Sequence, residues 1–137
     1  MQHAGIAEEW WRMGSPLVHF EFVADNPEAL AEFYRKLFDW TIGEFEGGME
    51  YWSVTTGSTP GGGIAKRERP EQMQTIYFDV PSIDDYLQKA RALGAKVISE
   101  KSAVGEMGWA ALIADPDGNL VGLWELNPKW MEQQQSQ

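Results

Sequence analysis

The segment VHFEFVADNPEALAEFYRKLFDW, residues 18–40, begins as a strand and continues as a helix. Its first part alternates polar and apolar side chains, which is typical of a strand with one buried face. Asn26 is a favourable N-cap residue, and Pro27 suits the first helical position. We therefore predict a strand followed by a helix that packs an apolar stripe against it. The stripe consists of Leu30, Phe33, Tyr34 and Leu37.

Three short strands separated by glycine-rich turns follow this helix, and a charged stretch at 66–74 is interpreted as a linker. The pattern then starts again in IYFDVPSIDDYLQKARALGAKV, residues 76–97, where Ser82 suits a helix N-cap and Gly94 a helix end. Three more strands follow. The pattern recurs after about 55 residues, a period that indicates a duplicated unit.

The repeat predicts an α+β fold built from two βαβββ modules, because neither half can complete a core alone. We place the modules at 16–67 and 74–126 within one domain, 16–126. An N-terminal arm (1–15) carries Trp10 and Trp11, which are too apolar to remain in water. A polar C-terminal tail, 127–137, is expected to fray.

Composition excludes several classes of function. The 137 residues carry a net charge of −10, which disfavours nucleic acid and anionic membranes as partners. The chain has no cysteine, so disulfides, thiol nucleophiles and cysteine zinc sites are excluded. No apolar run is long enough for a membrane span, and no signal peptide is evident, so we expect a cytoplasmic protein.

The acidic stretch DPDGNLVGLWEL, residues 115–126, could be a metal loop or a turn. A calcium loop starting at Asp115 needs glycine and glutamate where Leu120 and Leu126 stand. Pro116 and Gly118 instead suit a tight turn. We therefore predict that the two aspartates shape the entry to a strand.

Several spaced motifs together resemble the vicinal oxygen chelate superfamily, also called the glyoxalase/bleomycin-resistance/dioxygenase superfamily. The resemblance implies that the two modules form a central cleft, but it is weak evidence for activity because one fold hosts many functions. The segments that carry it are 18–40, TPGGGIAKR (59–67), 76–97 and GWAALIADPDGNLVGLWE (108–125).

The resemblance also implies metal-ligand positions on the first and last strands of each module. His19 matches the first of these positions. Thr75 and Gly122 occupy positions where metal-dependent relatives have ligands, and GGGIAKR offers no carboxylate. Since a divalent ion usually needs three or more protein ligands, we predict no metal site and no cofactor.

Strand alternation predicts which side chains share the cleft face. His19 and Glu21 are candidate catalytic residues, and Trp52 could line the cleft or fill the core. The cluster could perform acid/base chemistry, or it could be an ordinary interior hydrogen-bonding network. A nonstandard metal site of His19, Glu21 and Asp79 is a third alternative. The predicted ligand-binding residues are His19, Glu21, Trp52, Thr75, Tyr77, Asp79, Gly122 and Trp124.

These features favour a small-molecule binding protein without the usual metal, with a neutral or cationic aromatic ligand. Carboxylates and ring faces without a nearby basic residue suit such a ligand. The alternative is a metal-dependent lyase, isomerase or dioxygenase of the same superfamily. The resemblance and the arm further suggest a homodimer.

Overall fold

The computed structural model describes residues 14–47 and 49–135, and it confirms the α+β fold with two βαβββ modules. The described chain forms two compact units. The first unit is Val18–Ile76. The second unit consists of two pieces of the chain, the described residues from Tyr77 onward and those from 14 to Leu17. Trp10 and Trp11 of the predicted arm lie outside the described residues.

The first unit holds one helix against one side of four strands. Its strand order is β2-β3-β4-β1, with β1 and β4 parallel and the other neighbours antiparallel. The predicted N-cap is confirmed, because the Asn26 side chain accepts a hydrogen bond from the backbone N–H of Ala29 at 3.2 Å. The elements are β1 Leu17–Ala24, α1 Pro27–Phe38, β2 Thr41–Glu44, β3 Tyr51–Thr55 and β4 Gly62–Lys66.

The core of this unit lies between α1 and the strands. Its buried residues are Ala24, Ala31, Ile42, Trp52, Val54 and Ile64. The helix presents the small side chain of Ala31 to the sheet, with Leu30 and Tyr34 packed beside it. The predicted stripe is therefore partly wrong, because Phe33 and Leu37 remain 54% and 56% exposed on the flank of the helix.

The second unit repeats this arrangement with the strand order β5-β8-β7-β6. Ser82 accepts a hydrogen bond from the backbone N–H of Asp85 at 3.2 Å, and Gly94 takes a positive φ of 101° just beyond the helix, as predicted. The elements are β5 Thr75–Asp79, α2 Ile83–Ala92, β6 Lys96–Val104, β7 Gly108–Ala114 and β8 Leu120–Leu126. The buried core residues are Val80, Ile83, Leu87, Ala111, Ile113 and Leu123.

The acidic turn before β8 is structural, as predicted. One carboxylate oxygen of Asp115 accepts the backbone N–H groups of Asp117 and Asn119, both at 2.9 Å. Gly118 takes a φ of 91°, which the turn requires and which favours glycine. The side chain and backbone of Asn119 hold the pKa of the Asp115 carboxyl below its usual range.

The C-terminal tail contains a helix that the sequence reasoning missed, α3 at Pro128–Gln135. Asn127 accepts the backbone N–H of Lys129 at 3.0 Å, and its amide donates to the carbonyl of Glu106 at 3.1 Å. An Asn-Pro pair is a favourable helix start, so the signal was present in the sequence. No helix within 14–47 and 49–135 is long and apolar enough to cross a membrane.

Candidate functional site

In the first unit, the candidate residues lie on the face of the strands that points away from α1. Alternation along β1 sends Phe20 and Phe22 to the core, which leaves His19 and Glu21 on the opposite face. Glu21 lies directly beside Gly63 of the neighbouring parallel strand β4. The predicted pairing of His19 with Glu21 on one face is therefore supported by the packing.

Tyr51 joins this face from β3, on the far side of β4, and crosses over Gly63 to reach β1. A Cβ atom at position 63 would lie 1.8 Å from the Tyr51 hydroxyl oxygen, so only glycine leaves room for the phenol. The Tyr51 hydroxyl lies 2.7 Å from Nε2 of His19. Gly63 therefore allows a hydrogen bond to form across an intervening strand.

The Tyr51 hydroxyl serves both residues of β1. It also hydrogen-bonds the carboxylate of Glu21. Because a hydroxyl carries a single hydrogen, it donates that hydrogen to Glu21 when Nε2 of His19 donates to the hydroxyl oxygen. The result is a chain of hydrogen bonds from imidazole to phenol to carboxylate.

Burial sets the charge states within this chain. Burial lowers the pKa of His19 and so favours its neutral form, which can donate to the Tyr51 hydroxyl through Nε2–H. Burial raises the pKa of Glu21, and the hydrogen bond from Tyr51 opposes that rise. The arrangement can hold a proton or a polar ligand group at Glu21.

In the second unit, the corresponding glycine is also covered by a tyrosine, but from a different strand. Glu21 and Tyr77 occupy equivalent positions, two residues after His19 in β1 and two residues after Thr75 in β5. Glu21 lies beside Gly63 of the last strand of its module, and Tyr77 lies on Gly122 of the other. A Cβ atom at position 122 would lie 2.3 Å from the Tyr77 ring. Tyr77 therefore fills the space over Gly122.

Asp79 and Trp124 lie next to this pair. The backbone N–H of Val80 donates to the carbonyl of Trp124 at 2.8 Å, which places β5 and β8 side by side at this point. The Trp124 indole lies over Gly108, because a Cβ atom there would be 2.9 Å from the indole. Burial raises the pKa of Asp79 to about 6.

One predicted residue, Trp52, does not share these faces. Trp52 is 7% exposed in the core, and its indole N–H donates to Glu28 of α1 at 2.9 Å. Trp52 is therefore withdrawn as a ligand-binding candidate, since strand alternation places it opposite Tyr51. Thr75 is 8% exposed, and its hydroxyl donates to the carbonyl of Met73 at 3.4 Å.

Tyr51 and Gly63 are the site residues that sequence reasoning missed. The alternation of YWSVT in β3 puts Tyr51 and Trp52 on opposite faces, which the sequence alone could have shown. The hydrogen bond of Tyr51 could not be predicted in this way, because that bond depends on which strand lies beside β1.

The residues at the metal positions implied by the resemblance do not fit a divalent ion. Nε2 of His19 is engaged by Tyr51, and tyrosines cover both glycines of the last strands. Across residues 14–47 and 49–135, no three His, Asp or Glu side chains cluster as a metal site would require, which leaves the His19, Glu21 and Asp79 alternative without geometric support.

A cavity of about 340 Å³ lies elsewhere, between the β6–β7 hairpin and α3. Trp109 and Trp130 line it together with backbone of the hairpin turn. None of the candidate residues on β1, β5 or β8 lines this cavity. The candidate site is thus defined by its side-chain chemistry rather than by this cavity.

Comparisons with known proteins agree with the fold. The chain is 26% identical over 117 residues to the protein named "Putative glyoxylase CFP32" of Mycobacterium bovis, a match that covers 82% of this chain and 45% of that protein. The chain therefore spans less than half the length of this curated relative.

Two solved structures are similar in fold. A glyoxalase/bleomycin resistance protein/dioxygenase superfamily member from Vibrio splendidus is 13% identical, with a TM-score of 0.60 over 81% of this chain and 98% of that one. A methylmalonyl-CoA epimerase from Streptomyces coelicolor, in complex with 2-nitronate-propionyl-CoA, is 17% identical, with a TM-score of 0.62 over 82% of this chain and 97% of that one.

The decisive match is to a family of glyoxalase-like domains, whose pattern covers residues 18–123. This range includes both modules and every candidate site residue except Trp124. The chain belongs to the glyoxalase-like domain family.

Proposed function

We propose that this chain is a small-molecule binding protein that takes a neutral or cationic aromatic ligand without the usual metal. One observation carries the proposal. Each unit holds a half-buried carboxylate beside aromatic rings, Glu21 in the first and Asp79 in the second, and no ion pair among the described residues joins either carboxylate to a lysine or arginine.

A cationic group is the natural counterpart of such carboxylates. Burial raises the pKa of both Glu21 and Asp79, which shows that their charged forms are poorly solvated. A ligand cation close to either carboxylate would stabilise its charged form. A cation over an aromatic ring adds about 0.5–2 kcal/mol. The charge of −10 on the chain favours the approach of a cation over that of an anion.

The first unit offers a directional contact as well. Tyr51 and His19 fix the orientation of Glu21 through hydrogen bonds, so a donor group on the ligand would meet a preorganised acceptor. In this proposal His19 positions Tyr51, and Glu21 contacts the ligand. In the second unit, taken by itself, Asp79 is the carboxylate and Trp124 supplies the ring face.

The solved epimerase relative provides a contrast, because its ligand is a coenzyme A derivative. Such a ligand carries phosphates, which need cationic side chains or N–H groups around them. The candidate faces described above contain Glu21 and Asp79 rather than a basic side chain. We therefore propose a different class of ligand for this chain.

The test is a thermal-shift comparison of two probes of similar size, phenyltrimethylammonium and benzenesulfonate. A cation at tenfold excess over its Kd should raise the melting temperature by about 4 °C, while the anion should have no effect. Glu21→Gln and Trp124→Ala should each reduce the shift. Glu68→Gln, which changes an exposed carboxylate outside the site, is the matched control.

Three outcomes would overturn the proposal. Stabilisation by the anion alone would show that the charge assignment is wrong. Undiminished cation binding in both site variants would place the ligand elsewhere. Stabilisation that needs an added divalent ion would favour the metal-dependent enzyme of the same superfamily instead.

A further inference from the structure

The cavity of the second unit lies away from the face to which the ligand is assigned above. Its space, about 340 Å³, lies between the turn of the β6–β7 hairpin and α3. In the register of β7 and β8, Trp109 is opposite Glu125, whereas Trp124 is opposite Ala110. Because successive side chains alternate along a strand, Trp109 and Trp124 lie on opposite faces. The Trp109 wall of the cavity therefore lies away from the ring face that Trp124 supplies.

Two indoles form walls of the cavity, and both are held in place. Trp109 and Trp130 are each partly buried. The ammonium of Lys101 lies 4.8 Å from the centre of the Trp109 ring, and the carboxylate of Glu125 lies 3.5 Å from that ammonium. Trp130 is in the first turn of α3, whose start Asn127 ties to the hairpin through its backbone N–H and its side-chain amide. Both rings are therefore preorganised for a ligand, which lowers the entropy lost on binding.

Small residues of the hairpin keep the cavity open. Ala103 is exposed and lies opposite Trp109 in the register of β6 and β7. No described atom other than those of its chain neighbours lies within 4 Å of a Cβ built at Gly105. Ligand pockets commonly measure roughly 300–1,000 Å³. The cavity is at the lower end of that range, so it suits a ligand with one or two rings.

The rim of the cavity carries one charge of each sign. Glu106 of the hairpin turn and Lys129 of α3 are the charged residues that line it, and both are exposed. Within residues 14–47 and 49–135, no ion pair includes either side chain. A carboxylate and an ammonium on two different elements are thus both open to charge-assisted hydrogen bonds from a ligand.

We propose that this cavity binds a zwitterionic aromatic compound of the aromatic amino acid class. The ring of the ligand packs against Trp109 and Trp130, its ammonium donates to Glu106, and its carboxylate accepts from Lys129. A ligand with a single charge leaves one of the two charged side chains without a partner, so it binds less tightly. The site is a second one in the molecule, and the inference does not rest on the ligand proposed above.

NMR titration of ¹⁵N-labelled protein with three matched indole compounds tests the proposal. L-tryptophan carries both charges, tryptamine carries only the ammonium, and indole-3-propionate carries only the carboxylate. L-tryptophan should shift the indole N–H signals of Trp109 and Trp130 with a Kd on the order of 1 mM or below. The two singly charged compounds should each bind about tenfold more weakly. Trp109→Phe and Trp130→Phe assign the two signals.

Charge variants identify which side chain meets which group of the ligand. Lys129→Gln should weaken the binding of L-tryptophan about tenfold and leave that of tryptamine unchanged. Glu106→Gln should weaken L-tryptophan equally and leave indole-3-propionate unchanged. Ala103→Leu, which fills the cavity, should abolish the shifts. The control is Lys96→Gln, which removes the charge of an exposed lysine of the same unit that does not line the cavity.

Three results would each show that the site assignment is wrong. They are equal affinities for the three compounds, undiminished binding of L-tryptophan by Ala103→Leu, and shifts by L-tryptophan at Trp124 but at neither Trp109 nor Trp130. Failure here leaves the cationic ligand proposed above untouched, because phenyltrimethylammonium has no carboxylate for Lys129 to bind.

Discussion

The two units carry the same glycine in the last strand of each module and cover it in different ways. In the first unit, Tyr51 crosses Gly63 from β3 and ends in a hydrogen-bonded chain with His19. In the second unit, Tyr77 comes from β5 and lays its ring on Gly122. The first arrangement makes a polar site, and the second fills space beside the carboxylate of Asp79. The two modules share a backbone plan but differ in chemistry at this position, because the covering tyrosine comes from β3 in one module and from β5 in the other.

The largest effect is expected from adding one methyl group to each glycine. At Gly122 the new Cβ would meet the ring of Tyr77 down to its Cγ atom, at 2.7 Å, so the ring cannot simply swing aside. We predict that Gly122→Ala lowers the free energy of unfolding by about 2–3 kcal/mol. At Gly63 the nearest atoms belong to the far end of Tyr51, so Gly63→Ala should cost less, about 1 kcal/mol.

Chemical denaturation of the two alanine variants measures this difference. Gly43→Ala is the control, because no atom lies within 4 Å of a Cβ built there. In a background of Tyr77→Ala, the cost of Gly122→Ala should largely disappear, since a double-mutant cycle isolates the steric contact. An equal cost in both backgrounds would show that the tyrosine is not what excludes a side chain.

The next effect concerns the hydroxyl of Tyr51, which belongs to the first unit alone. Tyr51→Phe keeps the ring over Gly63 but removes the partner of both His19 and Glu21. We predict a loss of about 1–2 kcal/mol of stability at neutral pH. Tyr34→Phe is the control, because Tyr34 contributes a stacked ring next to the core. A loss of equal size in both variants would count against the hydrogen-bonded chain.

These two comparisons show what could and could not be read from the sequence. Local signals predicted part of this structure. The caps at Asn26 and Ser82 placed the starts of α1 and α2, and the alternation of β1 put His19 and Glu21 on one face of the strand. The strand next to β1 is β4, which comes from a distant part of the chain. The hydrogen bond from Tyr51 across β4 to His19 therefore could not be predicted from local sequence. Nor could alternation alone decide whether Trp52 belonged to the core.

The smallest effect is a pH dependence that separates the acids of the two units. Burial raises the pKa of Asp79 to about 6, above the unfolded value of 3.8, so the folded state favours the neutral form. Stability from this group is present below the unfolded pKa and is lost as pH rises through about 6. Asp79→Asn should therefore gain about 1 kcal/mol at pH 7 relative to wild type, a figure discounted for partial exposure.

Thermal unfolding of Asp79→Asn and wild type between pH 4 and 8 measures this difference. The gain should shrink towards pH 4, where Asp79 of the wild type is largely protonated. Glu21→Gln should show a weaker trend, because the hydrogen bond from Tyr51 opposes the rise in the pKa of Glu21. If Asp79→Asn stabilises the protein equally at every pH, the stabilisation does not come from removing the buried charge of the Asp79 carboxylate.

Calorimetry tests most directly whether the chain binds a cationic aromatic ligand without a metal. Phenyltrimethylammonium is titrated into protein that has been dialysed against a chelator, at pH 7.5 and again at pH 5. We expect saturable binding that the chelator leaves unchanged and that weakens at the lower pH, since burial raises the pKa of both Glu21 and Asp79 and so favours their neutral forms there. Binding that requires a restored divalent ion, or tighter binding of benzenesulfonate than of the cation, would contradict it.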